Sequence, residues 1–265
     1  MLNIKCLIFY MLFTNHILAK TPQIYKDIAN KYNLDPHHIY TLALNTGVKN
    51  IYGQLYPWTW SIKINNYYYQ FKNRRDLFEY LRSVNDKTTN IYYGIANIPY
   101  DHAISPQALW QSLSVKYQID YLCKRLKRIT LSYRKLQNII KKVSNETGIE
   151  SALINAIITQ ESRYKINAVS KAGAKGLMQI MPLTAKELNL APQDIFVPYK
   201  NIKAGATYIK KLLHSFNGQL DLALAAYNSG PKNVKHYGGI PPFKETKKYV
   251  SKVISYYQYY KNNME

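Results

Sequence analysis

The sequence predicts a mainly α-helical protein of two domains, with one small β-hairpin in its N-terminal half. Three observations carry this. Apolar residues recur at helical spacing through most of the C-terminal half, while strict alternation is confined to one short stretch. Gly and Pro punctuate the periodic segments instead of interrupting them. The chain has 265 residues, 47% of them hydrophobic, which suffices for two cores at roughly 100–200 residues per domain.

Taken in order, residues 1–5 carry one Lys, residues 6–13 (CLIFYMLF) are an apolar run, and Ala19 is a small residue before Lys20. The run is too short to span a bilayer, so residues 1–19 read as a secretory signal peptide; the alternative is an uncleaved N-terminal anchor. Removal of the signal leaves Cys123 as the sole cysteine, so the fold has no internal disulfide. A half-buried structural thiol is one reading of Cys123 and a disulfide-linked dimer the other. His37 and His38 are adjacent, not at ligand spacing, and no Cys/His cluster occurs, so no metal or cofactor is expected.

Residues 20–133 read as an N-terminal domain. Helical spacing covers 25–44, 75–83 and 116–127. Residues 58–64 and 67–71 alternate on either side of Asn65–Asn66 and predict the hairpin. Residues 134–265 read as the second domain, with helices at 137–145, 152–161, 201–216, 220–227 and 246–260. Gly148 separates the first two, and Thr147 or Ser151 is a candidate cap for the second.

The formal charge is +21, from 36 basic and 15 acidic residues. It fits contact with something anionic, such as nucleic acid, a lipid surface or an acidic polymer; compositional drift is the bland reading, since 29 of the basic residues are Lys. Residues 115–142 hold nine basic residues against Asp120 alone, whereas residues 143–198 sum to zero. The basic segment has few interleaved aromatics and no nucleic-acid motif, and an export signal disfavours nucleic acid further.

Candidate chemistry begins at Glu161. On a helical wheel it falls near the middle of the stripe made by Leu153, Ile154, Ile157 and Ile158. A carboxyl group there loses solvation, its pKa rises, and it becomes a candidate general acid near neutral pH. The bland reading is a helix-end Glu reaching out to solvent.

Four motifs then follow in order: Glu161-Ser162; Gly176-Leu177-Met178-Gln179; Tyr227-Asn228-Ser229-Gly230; and Glu245-Thr246 with Tyr249-Val250. From about residue 136 to 260 the sequence closely resembles the transglycosylase SLT domain family, the lysozyme-like soluble lytic transglycosylases. One departure is Val197-Pro198, where the family often has Asp-Pro. The resemblance implies cleavage of the β-1,4 bond between N-acetylmuramic acid and N-acetylglucosamine, leaving a 1,6-anhydro end. Glu161 would act as acid and then as base. Ser162 and Gly176 would shape the pocket, Leu177, Met178 and Gln179 would line sugar subsites, Tyr227 and Asn228 would contact the glycan or orient Glu161, Glu245 would support it, and Tyr249 would place its hydroxyl near it. The resemblance names no cofactor. The alternatives are a hydrolytic muramidase on the same fold and a non-catalytic peptidoglycan-binding scaffold.

Sliding the sequence by 115 lays 33–43 over 148–158, with Thr46, or by the following small residue Asn45, facing Glu161. Residues 94–98 echo 176–180, and 114–122 echo 201–209. These matches predict a degenerate, acid-free lysozyme-like copy in the N-terminal half; the alternative is an unrelated α+β envelope domain. The segment from Tyr56-Pro57-Trp58 through the 67–71 strand is similar to an insertion in transglycosylases linked to conjugation and secretion systems. The expected location is the periplasm or envelope. The expected partners are peptidoglycan glycan strands and proteins of such an apparatus, with peripheral contact to an anionic membrane and none with nucleic acid.

Overall fold

A computed structural model describes residues 21–44, 48–49, 55–65, 67–84 and 90–263. The chain divides into two compact units between Ser132 and Tyr133. The signal-peptide expectation, Asn45 and Thr46 lie outside the described residues. No helix among the described residues is long and apolar enough to cross a membrane.

The N-terminal unit opens with helices α1 (Gln23–Lys31) and α2 (Pro36–Ala43), where the sequence predicted a single helix over 25–44. The break is local. Asn33 takes φ 54°, Asp35 accepts a hydrogen bond from the His37 N–H at 2.9 Å, and Pro36 fixes the first helical residue. Two short strands, β1 (Val48–Lys49) and β2 (Leu55–Tyr56), pair antiparallel. The predicted hairpin is present as β3 (Ser61–Ile64) and β4 (Tyr67–Gln70). It belongs to a four-stranded antiparallel sheet of order β4-β3-β5-β6, completed by β5 (Ile91–Tyr93) and β6 (Ile98–Pro99). These last two are too short to alternate visibly, which hid them from the sequence pattern. Helices α3 (Arg74–Ser83) and α4 (Pro106–Ser112) complete the layer. Ile39, Ile62, Leu77, Leu81, Leu109 and Ile119 are among its fully buried side chains.

Helix α5 (Val115–Thr147) is one 33-residue element; the sequence predicted two helices, at 116–127 and 137–145. No Gly or Pro occurs between Pro106 and Gly148, so nothing in the chain stops it earlier. Cys123 lies inside it, fully buried, and desolvation pushes its thiol up to about 11. A buried thiol cannot reach a second chain, so the linked-dimer reading is set aside.

In the C-terminal unit, α6 (Ser151–Glu161) follows Gly148, which adopts φ 75°. Its N-cap is Glu150, with no side-chain cap bond; neither Thr147 nor Ser151 fills the role, because Thr147 instead donates to the Val143 carbonyl at 2.7 Å. Helices α7 (Pro182–Glu187), α8 (Pro198–Ser215), α9 (Leu220–Ser229), α10 (Pro231–Tyr237) and α11 (Lys244–Asn263) follow. The sequence pattern missed α7 and α10, each under two turns and opened by Pro. Residues 152–159 of α6 are all buried. α6 packs most extensively on α11, and α9 joins both α8 and α11. The core of this unit centres on Ile154, Ile157, Ile158, Ala225, Val250 and Val253. At about 25 cal/mol per Å² of apolar surface removed from water, a buried Ile of this kind contributes roughly 1.5–3 kcal/mol.

Candidate active site

Glu161 is the last residue of α6, and the chain turns sharply beyond it. The Ser162 and Arg163 amides both donate to the Ile158 carbonyl at 3.0 Å, and Arg163 and Tyr164 take φ 53° and 62°. Two consecutive left-handed residues at non-glycine positions are costly. They end the helix abruptly and seat Tyr164 in the core.

That core is cross-braced behind the acid. Asn155 exchanges amide hydrogen bonds with Gln137 at 2.9 and 3.1 Å. The Tyr164 hydroxyl donates to Asn155 Oδ1 and lies 3.0 Å from the Tyr260 hydroxyl. Tyr260 in turn meets Thr159 at 2.8 Å. The polar groups of α5, α6 and α11 are thus satisfied inside an apolar core. Asn155 and Thr159 sit among apolar residues in the sequence, a signal for a buried polar brace that the wheel analysis passed over.

The Glu161 carboxylate is half-buried. Burial raises its pKa to about 7; a hydrogen bond from Tyr249 pulls it down and the charge of Glu245 pushes it up. The Tyr249 hydroxyl, on α11, donates to Glu161 Oε1 at 2.7 Å. Burial, and after it the charge of Glu161, raises the pKa of Tyr249 well above that of free tyrosine, so it stays a donor. Glu245, in the first turn of α11, is exposed.

The second wall of the site is the turn at Gly176-Leu177-Met178-Gln179. Gly176 adopts φ +81°, and a Cβ there would lie 2.2 Å from Asn201 Nδ2, so glycine is required on both counts. Its amide donates to the Ala168 carbonyl at 2.9 Å. Asn201, in the first turn of α8 and 1% exposed, clamps the turn from below. Its Oδ1 accepts the Met178 N–H at 2.9 Å, and its Nδ2 donates to the Lys175 and Ile195 carbonyls. In the sequence Asn201 is only the first residue of the predicted helix 201–216.

The remaining expected residues divide. Tyr227 donates to the Met178 carbonyl at 2.8 Å and its ring leans on Tyr208 at 5.4 Å. Burial, then the charge of Glu161, raises its pKa. Asn228 Oδ1 accepts from Thr246 at 2.8 Å, joining α9 to α11. Gln179 takes φ 48° and uses its Nε2 on the Ala168 and Gly176 carbonyls. Ser162 is buried and its hydroxyl donates to the Ile158 carbonyl. The expectation that Leu177 and Met178 line a sugar subsite with their side chains is corrected. Both are core residues, at 1% and 0% exposure, and the Met178 thioether fills the space left by Gly205. Met178 serves the site through its backbone, which Asn201 and Tyr227 hold from two sides.

Chemically, the arrangement is a carboxylic acid poised at neutral pH, a fixed phenol donor on it, and a rigid backbone turn alongside. Residues 138–250, which contain all of these groups, match the family described as Transglycosylase SLT domain. Over 181 residues the chain is 31% identical to the soluble lytic murein transglycosylase of Salmonella typhimurium, covering 58% of this chain and 27% of that protein. It is 36% identical over 114 residues to membrane-bound lytic murein transglycosylase F of Desulfosudis oleivorans, covering 41% and 25%. An inactive mutant of lytic transglycosylase Slt from Pseudomonas aeruginosa is similar at 33% identity and a TM-score of 0.45, over 48% of this chain and 24% of that one. The chain spans about a quarter of the length of the soluble relatives it matches. By the match over 138–250, the chain carries a transglycosylase SLT domain in its C-terminal unit.

Proposed function

We propose that the protein is a peptidoglycan lytic transglycosylase, with Glu161 as its catalytic residue. The observation that carries this is the half-buried Glu161, held near pKa 7 and bonded by Tyr249, inside the segment that matches the SLT domain.

The reaction needs one group that gives a proton and takes one back. Protonated Glu161 donates to the oxygen of the N-acetylmuramic acid–N-acetylglucosamine bond, the bond to the anomeric carbon breaks, and the N-acetylglucosamine hydroxyl leaves. The carboxylate then removes the proton from the C6 hydroxyl of the muramic acid, whose oxygen closes onto the anomeric carbon. Glu161 ends protonated, as it began, and no water is consumed. Tyr249 stabilises the carboxylate between the two steps through its charge-assisted hydrogen bond. Glu245, exposed, raises the proton affinity of the acid through its charge. Most glycosidases use a pair of carboxylates flanking the bond; the exposure of Glu245 suits a supporting electrostatic role instead. Tyr227 and Asn201 position the Gly176–Gln179 turn, and Asn228 with Thr246 positions α11.

The murein transglycosylase names of the relatives support an envelope location, as do the features of residues 1–19 read as an export signal. Work for a secretion or conjugation apparatus is supported by the aromatic segment before the hairpin, where Trp58 donates to the Phe71 carbonyl at 3.1 Å and packs edge-on against Trp60. The test is release of soluble muropeptides from purified sacculi. The full chain should release them, and Glu161→Gln should abolish release while still sedimenting with sacculi. Equal release by both chains would remove Glu161 from the reaction.

A further inference from the structure

The turn that walls the candidate active site occurs twice. Gly94 takes φ +70° and Asn97 φ 46°; Gly176 takes φ +81° and Gln179 φ 48°. In each case the fourth residue of the turn donates back to the glycine carbonyl, at 3.1 and 3.3 Å. The glycine amide donates across to a neighbouring segment, to Ser61 at 2.8 Å in one unit and to Ala168 at 2.9 Å in the other. The residue before each glycine pairs with the residue after the turn, Tyr93 with Ile98 and Lys175 with Ile180. It also pairs with the residue after that acceptor, Tyr93 with Ile62 and Lys175 with Val169.

A buried amide clamps both turns from the fourth residue of the next long helix. Gln118 accepts the N–H of the turn's second residue, Ile95, at 3.0 Å, and Asn201 that of its third, Met178, at 2.9 Å. A Cβ on either glycine would strike that amide, at 2.2 Å in both. From this clamp the helices run in register: Ile119, Cys123 and Leu126 are buried where Ile202, Ala206 and Ile209 are. This register differs by four residues from the one the sequence comparison chose, and only the clamp reveals it. Volume is exchanged at one pair of positions. Met178 faces Gly205, while the matching positions hold Ala96 and Leu122. Upstream, α2 matches α6, with Ile39, Leu42 and Ala43 buried as Ile154, Ile157 and Ile158 are. The hairpin strand β4 and helix α3 lie between the paired positions Ile62 and Tyr93, which correspond to the closely spaced Val169 and Lys175.

The copies differ where the chemistry sits. No Asp or Glu occurs between Asp35 and Asp76, so the first copy has no counterpart of Glu161. The carbonyl that Tyr227 holds in the second copy is Met178; its match, Ala96, is held by the Arg125 guanidinium at 3.4 Å. Arg125 is half-buried and stands at the helix position of Tyr208. A carboxylic acid and phenols are replaced by a fixed cation.

We propose that the N-terminal unit is a second, acid-free copy of the site scaffold, which holds a peptidoglycan strand without cutting it and directs Arg125 at a carboxylate of the polymer. This rests on the reading of peptidoglycan as substrate. Arg is suited to the task because its planar fork of donors matches a carboxylate.

The experiment uses the full chain carrying Glu161→Gln and measures its binding to purified sacculi. Adding Arg125→Gln should weaken binding about tenfold, a loss of about 1.4 kcal/mol, and Arg125→Lys, which keeps the charge but not the planar fork, should recover only part of it, with the melting temperature unchanged throughout. Repeating the measurement on amidase-treated glycan, which keeps only the lactyl carboxylate, assigns the contact: a persisting Arg125 effect points to that group and a vanished one to the stem peptides. Unchanged binding in the Arg125→Gln chain would overturn the proposal. So would losses in both Arg125 variants that track a fall in melting temperature, which would mark Arg125 as a structural brace. Failure of the transglycosylase reading shows separately, as no anhydro-muropeptide release by the chain with Glu161 intact.

Discussion

The Tyr249 hydroxyl reaches Glu161 Oε1 at 2.7 Å from a position 88 residues further along the chain. This bond and the desolvation around it act in opposite directions on the same carboxyl group. Burial raises its pKa and Tyr249 lowers it, leaving it at about 7. The group is therefore part acid and part carboxylate at neutral pH, as a residue that gives and retakes one proton requires.

The pH profile follows. kcat/KM should fall on the alkaline side with an apparent pKa of about 7, because the first step needs protonated Glu161. Tyr249→Phe removes the bond that lowers this pKa, so the alkaline limb should move up. The rate at the optimum should drop roughly 10- to 100-fold, the value of a charge-assisted hydrogen bond of about 1.5–3 kcal/mol. A pH–rate series on both chains checks the two effects together.

Stability should carry a signature of the same group. The native pKa of Glu161 lies above the unfolded value, so its protonated form favours folding below about pH 4.5 and that advantage is lost as pH rises to about 7. Glu161→Gln should therefore be more stable than the parent above pH 7, by up to about 3 kcal/mol at about 1.4 kcal/mol per decade. Urea melts at pH 5 and pH 8 read this directly, with most of the gain at the higher pH.

The turn should fail at Gly176. Gly176→Ala imposes a left-handed backbone on a residue with a Cβ and drives that Cβ into Asn201. The expected cost is about 2–5 kcal/mol, from backbone strain and overpacking together. Asn201→Leu should cost about 1–3 kcal/mol for each backbone group it leaves unpaired. Thermal melts of the two variants check this.

Met178 should prove a packing residue. Met178→Leu, which nearly conserves volume, should cost under about 1.5 kcal/mol and leave the rate of muropeptide release unchanged. Met178→Ala should cost about 2–5 kcal/mol. A large loss of kcat in a stable Met178→Leu chain would return its side chain to the substrate.

Much of this site is legible along one helix. Glu161 interrupts an apolar stripe, and that misfit gives its burial and its raised pKa before any tertiary structure is known. The bond from Tyr249 was reached only through family resemblance, since no local pattern joins two residues on different helices. The Gly176 turn announces itself as glycine, but its clamp does not: Asn201 looks like any polar residue opening a helix until the fold brings it under residues 175–178. Met178 misled because a motif records which residues recur together and not which way they face. Elsewhere, α7, α10 and strands β5 and β6 were missed because each is too short to repeat its pattern twice. The long α5 was split because two apolar segments were read without noticing that nothing between them breaks a helix.

The central claim is that Glu161 serves both proton transfers and that the C6 hydroxyl, not water, attacks the anomeric carbon. Mass spectrometry of the ends newly formed when the full chain digests sacculi tests this most directly. Every such end should be one water lighter than a reducing sugar, the 1,6-anhydro form, and none should appear with Glu161→Gln. Hydrated reducing ends from the intact chain would contradict the account and make the protein a muramidase.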